Sequence, residues 1–169
     1  MIVRLLIATA LVLALAGCAG GQGISLAEAK SNVQLLRNDA ASRIPAELLD
    51  IVLVSSDLSV SCESESTDPE GRLRSWHSGA RISLTPGADI DAVIDDLVAS
   101  FVDQGWEQSS SSTTTTLSSS TIFSDIEITA IEATDDGDVA EITLALTSPC
   151  VDTDGESSKE VRQLEAMAF

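Results

Sequence analysis

Ile90, Val93, Ile94, Leu97, Val98, Phe101 and Val102 recur at helical spacing, and this single apolar stripe constrains the fold more than any other feature of the chain. A helix with so continuous a stripe must lay it on another layer of structure. Asp89 and Asp91 stand in its first turn, where the helix dipole favours acids. Gly105 is placed as a left-handed C-terminal cap, with Trp106 beyond it to close the contact. The spacing predicts a helix over 89–104 that covers a sheet.

The sheet has several candidate strands. Ile51 to Val54 is a β-branched run, and Leu58 to Cys62 alternates like a half-buried strand. Residues 72–84 read as extended, with Trp76, Ala80, Ile82 and Leu84 on one face. Continuing that parity would bury Arg72 and Arg74, which is costly for unpaired charges. A turn or bulge at Ser78-Gly79 is therefore expected to reset the register. Residues 122–133 and 139–147 form two further strands, joined by the turn Thr134-Asp135-Asp136-Gly137-Asp138. Ile142, Leu144 and Leu146 mark one buried face.

A first helix opens at the capping box Ser25-x-x-Glu28, carries Leu26, Ala29, Val33, Leu36 and Ala40 inward, and ends by Ile44 because Pro45 disfavours helix before it. The order is α-β-β-α-β-β-β. It implies an α+β fold: a mainly antiparallel sheet with two helices packed on one face. Residues 24–151 form a single globular domain, which includes the Ser/Thr-rich segment 109–121. An acidic turn and C-terminal tail, 152–169, follow, with room for a short helix around 160–167.

The N-terminus has a different character. Arg4 precedes a 12-residue apolar stretch, Leu5 to Ala16, and Leu15-Ala16-Gly17-Cys18 closes it. This is too short for a helical span, which needs roughly 20 apolar residues. It has the three parts of a signal peptide, and its end resembles the lipobox of bacterial lipoproteins. The resemblance implies cleavage between Gly17 and Cys18, removal of residues 1–17, and acylation of Cys18 with diacylglyceryl and palmitate chains. It places the domain on the extracytoplasmic face of the cell membrane. Two or more chains anchor stably where one does not. Residues 18–23 are then a lipidated cysteine and a Gly-rich tether, whose last five residues reach at most about 17 Å. An ordinary cleaved signal peptide and an uncleaved anchor are the alternatives. The Gly105-Trp106 step and Ser148-Pro149-Cys150 resemble the pattern of small actinobacterial envelope lipoproteins over residues 45–151. That likeness implies compartment and fold, and no catalytic residues.

With Cys18 committed to lipid, Cys62 and Cys150 remain as an even pair in an oxidising compartment, 88 residues apart. A disulfide is expected, two buried free thiols being the alternative. Without residues 1–17 the chain keeps 8 Lys and Arg against 27 Asp and Glu, a net charge of about −19. So acidic a surface excludes nucleic-acid binding and electrostatic adsorption to anionic lipid. Lipid on Cys18 must then do the anchoring. No cofactor is implied.

Catalytic signals are sparse. His77 is the one histidine, and no Gly-x-Ser-x-Gly elbow accompanies it. Asp91, Asp95 and Asp96 read as the solvated face of the second helix. Asp135, Asp136 and Asp138, like Asp152 and Asp154, lack the distal Glu of a calcium loop, and no metal site is expected. Arg72, Arg74, Trp76, His77 and Arg81 form one local basic island. It reads either as a binding patch for an anionic ligand or as arginines paired with the molecule's own acids. Residues 109–121, all Ser or Thr except Leu117, read as an O-glycosylated segment, a polar edge strand or a loop.

The expected function is a membrane-anchored extracytoplasmic lipoprotein, a non-catalytic binding or interaction module for an envelope protein. The alternative is a small-ligand carrier with an apolar pocket between the second helix and the sheet. A hydrolase is the third. An enclosed pocket of at least about 300 Å³ favours the carrier, and an exposed apolar patch favours the interaction module.

Overall fold

A computed structural model describes residues 23–111, 113–121, 124–131 and 139–167. Gly17, Cys18, the signal peptide, most of the tether and the turn at 134–138 lie outside the described residues.

The helices follow local rules. Helix α1, Leu26–Ser42, starts with both halves of its capping box: Glu28 N donates to Ser25 Oγ at 3.2 Å and Ser25 N to Glu28 Oε2 at 2.8 Å. These bonds hold the Glu28 carboxyl below its usual pKa. Helix α2, Ile90–Val102, is capped by Asp89 through Ala92 N. It ends on Gly105 at φ +89°, and Trp106 N reaches back to Phe101 O at 3.2 Å. The Phe101 and Trp106 rings meet edge-on with centroids 5.2 Å apart. A third helix, α3, Lys159–Ala166, corrects the count of two. It is capped by Ser158, buries Val161, and receives the Lys30 ammonium on Leu164 O at 2.6 Å. The C-terminal segment thus packs against the domain.

Among the described residues seven strands form one antiparallel sheet: β1 (Leu49–Ser61), β2 (Leu73–Leu84), β3 (Glu107–Ser110), β4 (Thr114–Ser119), β5 (Ser124–Ile131), β6 (Glu141–Thr147) and β7 (Val151–Asp152). The spatial order is β1-β2-β6-β5-β4-β3, with β7 beside β2. All three helices pack against the sheet, α1 chiefly on β2, α2 on β5, β6 and β3, and α3 on β1. Trp76, Ile82, Leu84, Leu117, Ile126, Ile128, Ile142, Leu144 and Leu146 form the buried floor beneath them. The fold is therefore α+β, as its periodicities require. Cys62 and Cys150 are joined, Cα atoms 6.2 Å apart, tying the end of β1 to the residue before β7.

The register is set otherwise than the sequence suggests. β2 runs unbroken through Ser78-Gly79, and the irregularities lie on β1, between Leu49 and Ile51 and between Val54 and Ser56. The Ser55 and Ser56 hydroxyls occupy the space where a Cβ on Gly79 would stand, at 2.8 and 2.6 Å from that position. Consequently Arg74 does share the buried face of Trp76. Its Nε donates to Ser59 Oγ at 3.0 Å and its Nη2 to Ser59 O at 3.1 Å, while the buried Nη1 makes no hydrogen bond among the described residues and has the Glu156 carboxylate at 4.0 Å. Arg72 precedes the strand and stays exposed. The Ser/Thr tract is largely strand: β3 and β4 pair through it, and Leu117 is its buried residue.

Candidate binding surface

The two edges of the sheet differ. β3 is four polar residues, Glu107, Gln108, Ser109 and Ser110, the short and hydrophilic edge that discourages further pairing. β1 is 13 residues long, and Ile51, Val52, Leu53, Val54 and Leu58 on it are between 42 and 56 % exposed. Five large apolar side chains exposed along one edge strand, four of them consecutive, are unusual for an unpaired edge.

Register shows why they are left outside. Asp57 pairs with Ser78 and Ser59 with Trp76, so both polar residues point beneath the helices. Asp57 accepts from Trp76 Nε1 and Gln34 Nε2, and Ser59 bonds Arg74 and Glu165. The neighbours Leu58 and Val60 must then face the open side of the sheet. This inverts the half-buried alternation expected for Leu58 to Cys62. Ile51 and Leu53 share the open side, opposite Ser83 and Arg81. Val52 and Val54 point to the helix side, yet the described helix–β1 hydrogen bonds come farther along, at Asp57 and Ser59. The apolar run is flanked by exposed acids: Glu47 and Asp50 before it, Glu63 and Glu65 after the strand.

The five residues of the basic island do not come to one surface. Trp76 is wholly buried, and the Lys30 ammonium stands 4.7 Å from its ring centroid. Arg74 lies on the same side, 4 % exposed. His77 and Arg81 alternate to the open face. Arg81 makes a two-pronged pair with Glu141 at 2.8 Å, and Arg72 reaches Asp152 at 3.4 Å. Three of the arginines thus meet the molecule's own acids.

On the open face His77 Nε2 lies 3.1 Å from Ser75 Oγ, two residues back on the same strand. Partial burial lowers the His77 pKa below its usual 6.5, and the charge of Glu127 opposes the shift. Among the described residues no carboxylate hydrogen bond to the ring is present, and Asp57 points to the opposite face. A serine and a histidine meet here without the orienting third group of a nucleophilic triad.

A cleft of about 580 Å³ separates α2 from the Ser/Thr strands, lined by Asp91, Asp95, Ile94, Thr114, Ile128 and Ala130 among others. It lies where a carrier pocket was expected, but it is an open groove walled by carboxylates and hydroxyls. Among the described residues no three His, Cys, Asp or Glu converge as metal ligands, and no helix is long and apolar enough to cross a membrane.

The missed feature is the exposed edge. A four-residue apolar run reads equally as a doubly buried strand. Asp57, placed inward, turns Leu58 outward, but the register shift between Val54 and Ser56 breaks the parity, so it says nothing of the 51–54 run. No protein-family model matches the chain, and no curated protein or solved structure matches it.

Proposed function

We propose that the chain is an extracytoplasmic lipoprotein, held to the membrane by acyl chains on Cys18, whose domain is a non-catalytic interaction module of the cell envelope. The observation that carries the interaction reading is the exposure of Ile51, Val52, Leu53, Val54 and Leu58 along an edge strand. The lipobox-like Leu15-Ala16-Gly17-Cys18 carries the anchoring. The net charge of −18 removes adsorption to anionic lipid as a substitute.

Two measurements test this. A Cys18→Ala protein is expected to leave the membrane fraction; retention overturns the anchor. A photo-crosslinking residue at position 53 is expected to give a discrete adduct in the native envelope, while one at position 109 on the opposite edge gives none. Equal labelling at both positions overturns the interaction surface.

The second reading is a carrier of a small ligand in the groove between α2 and β4, supported by its volume of about 580 Å³. A groove ligand would protect Thr114 and Ile128, not Leu53, from exchange or labelling.

A further inference from the structure

We infer that the outer edge of β1 takes up an extended segment of a partner protein as an added strand, and that this segment is apolar in its middle and basic at both ends. The inference rests on β1 being the docking surface and names what docks there.

Backbone geometry selects strand addition. Cys62 N donates to Leu73 O at 2.8 Å and Thr85 N to Leu48 O at 2.9 Å, so odd-numbered residues of β2 bond towards β1. Trp76 O accepts from Ser148 N, and Leu84 N donates to Ala140 O, so even-numbered ones bond towards β6. Arg81 and Ser83 are odd and pair with Leu53 and Ile51. In an antiparallel ladder the alternate residues point the other way. Val52 and Val54 therefore direct their N–H and C=O groups out of the sheet, where no described strand meets them. Their side chains and those of Ile51 and Leu53 offer apolar contact on both faces of an incoming strand. Main-chain bonds with alternating side-chain contacts are the recognition mode of strand addition.

Charge selects the occupant. Glu47 and Asp50 lie exposed at one end of β1, and Glu63 and Glu65 at the other. A second copy of this chain meets acid with acid at both ends, whether the two strands run parallel or antiparallel. Anionic lipid is repelled for the same reason. The apolar stretch at 5–16 of this chain has one cation, Arg4, and so cannot match both ends. A segment with Lys or Arg at each end satisfies both clusters, and the net charge of −18 steers it inward.

The test uses the full chain in neutral phosphatidylcholine nanodiscs and a fluorescent peptide of about 12 residues, sized to β1. The peptide has alternating Val and Thr between Lys-Lys ends. It is compared with a Glu-Glu-ended version and with one N-methylated at alternate amides. The Lys-ended peptide is expected to bind at least about tenfold tighter than the Glu-ended one at low salt, with the gap closing as salt screens the ends. N-methylation on the pairing side is expected to abolish binding, as is Val54→Pro, whose lost N–H points outward and leaves the β1–β2 ladder intact. Should Val54→Pro fail to fold, slowed amide exchange at Val52 and Val54 of the unaltered protein on adding peptide gives the same information.

Equal affinity for Lys and Glu ends overturns the charge assignment. Indifference to N-methylation overturns strand addition. Sedimentation as a dimer that the peptide cannot dissociate assigns the edge to a second copy and overturns the inference. No peptide binding with a position-53 adduct intact overturns this inference and leaves the interaction reading standing. Loss of both overturns both.

Discussion

The Asp57 carboxylate accepts a hydrogen bond from the indole N–H of Trp76, and both side chains are buried, at 2 % and 0 % exposure. Gln34 of α1 donates to the other carboxylate oxygen, so one acid ties the edge strand to β2 and to a helix. Removing it leaves the indole N–H without its acceptor. Asp57→Ala is expected to destabilise by about 1–3 kcal/mol, the cost of an orphaned buried donor. Asp57→Asn, which keeps an acceptor, is expected to lose less. Urea unfolding measures both, and an Ala variant as stable as the parent contradicts the role given to Asp57.

The Cys62–Cys150 bridge closes a covalent loop spanning 88 residues. In the chain-entropy account a loop of that size contributes on the order of 4–5 kcal/mol. The double variant Cys62→Ala/Cys150→Ala is expected to melt roughly 10 °C lower, by the usual scaling for a domain near 150 residues. A shift of only a degree or two would mean that native packing or residual unfolded structure offsets the lost constraint.

Gly79 has no room for a side chain: an added Cβ would stand 2.6 Å from Ser56 Oγ and 3.1 Å from Leu144 O. Gly79→Ala is expected to cost about 1–3 kcal/mol through forced displacement. Ser56→Gly in the same protein removes the nearer clash and should recover part of that loss. Absence of any recovery would place the strain on Ser55 Oγ, 2.8 Å from the added Cβ, or on the Leu144 backbone.

His77 is held neutral by burial, with Glu127 acting against the shift. Its folded pKa is below the unfolded value, so the unfolded chain takes up the proton first as pH falls. Stability is expected to decline as pH drops through about 6.5 and to level off below the folded pKa. Glu127→Gln removes the opposing charge, and NMR titration of the imidazole should then report a still lower midpoint. A midpoint that rises in this variant contradicts the stated balance.

Much of the architecture is local and was legible. The α2 stripe, the acids at its start, the Gly105–Trp106 closure and the Ser25–Glu28 box all operate within a turn or two of the chain, though Asp89 proves to be the cap rather than a first-turn residue. The apolar parity of Ile142, Leu144 and Leu146 needed no partner to be read. The candidate site was less legible, because its determinants are distant in sequence. Asp57 is turned inward by Trp76 and Gln34, 19 and 23 residues away. Arg74 is accommodated by Ser59, 15 residues back, and by a carboxylate from the C-terminal segment. A basic island counted along the chain was therefore divided between two faces once β2 ran straight.

The sequence by itself determined the class of the fold, the places where helices begin and end, and the two cysteines available to pair, because periodicity, capping and composition act over short range. Only the tertiary structure decided which side of β1 faces the core. A strand's two faces differ by one residue of register, and that choice was made by buried polar partners.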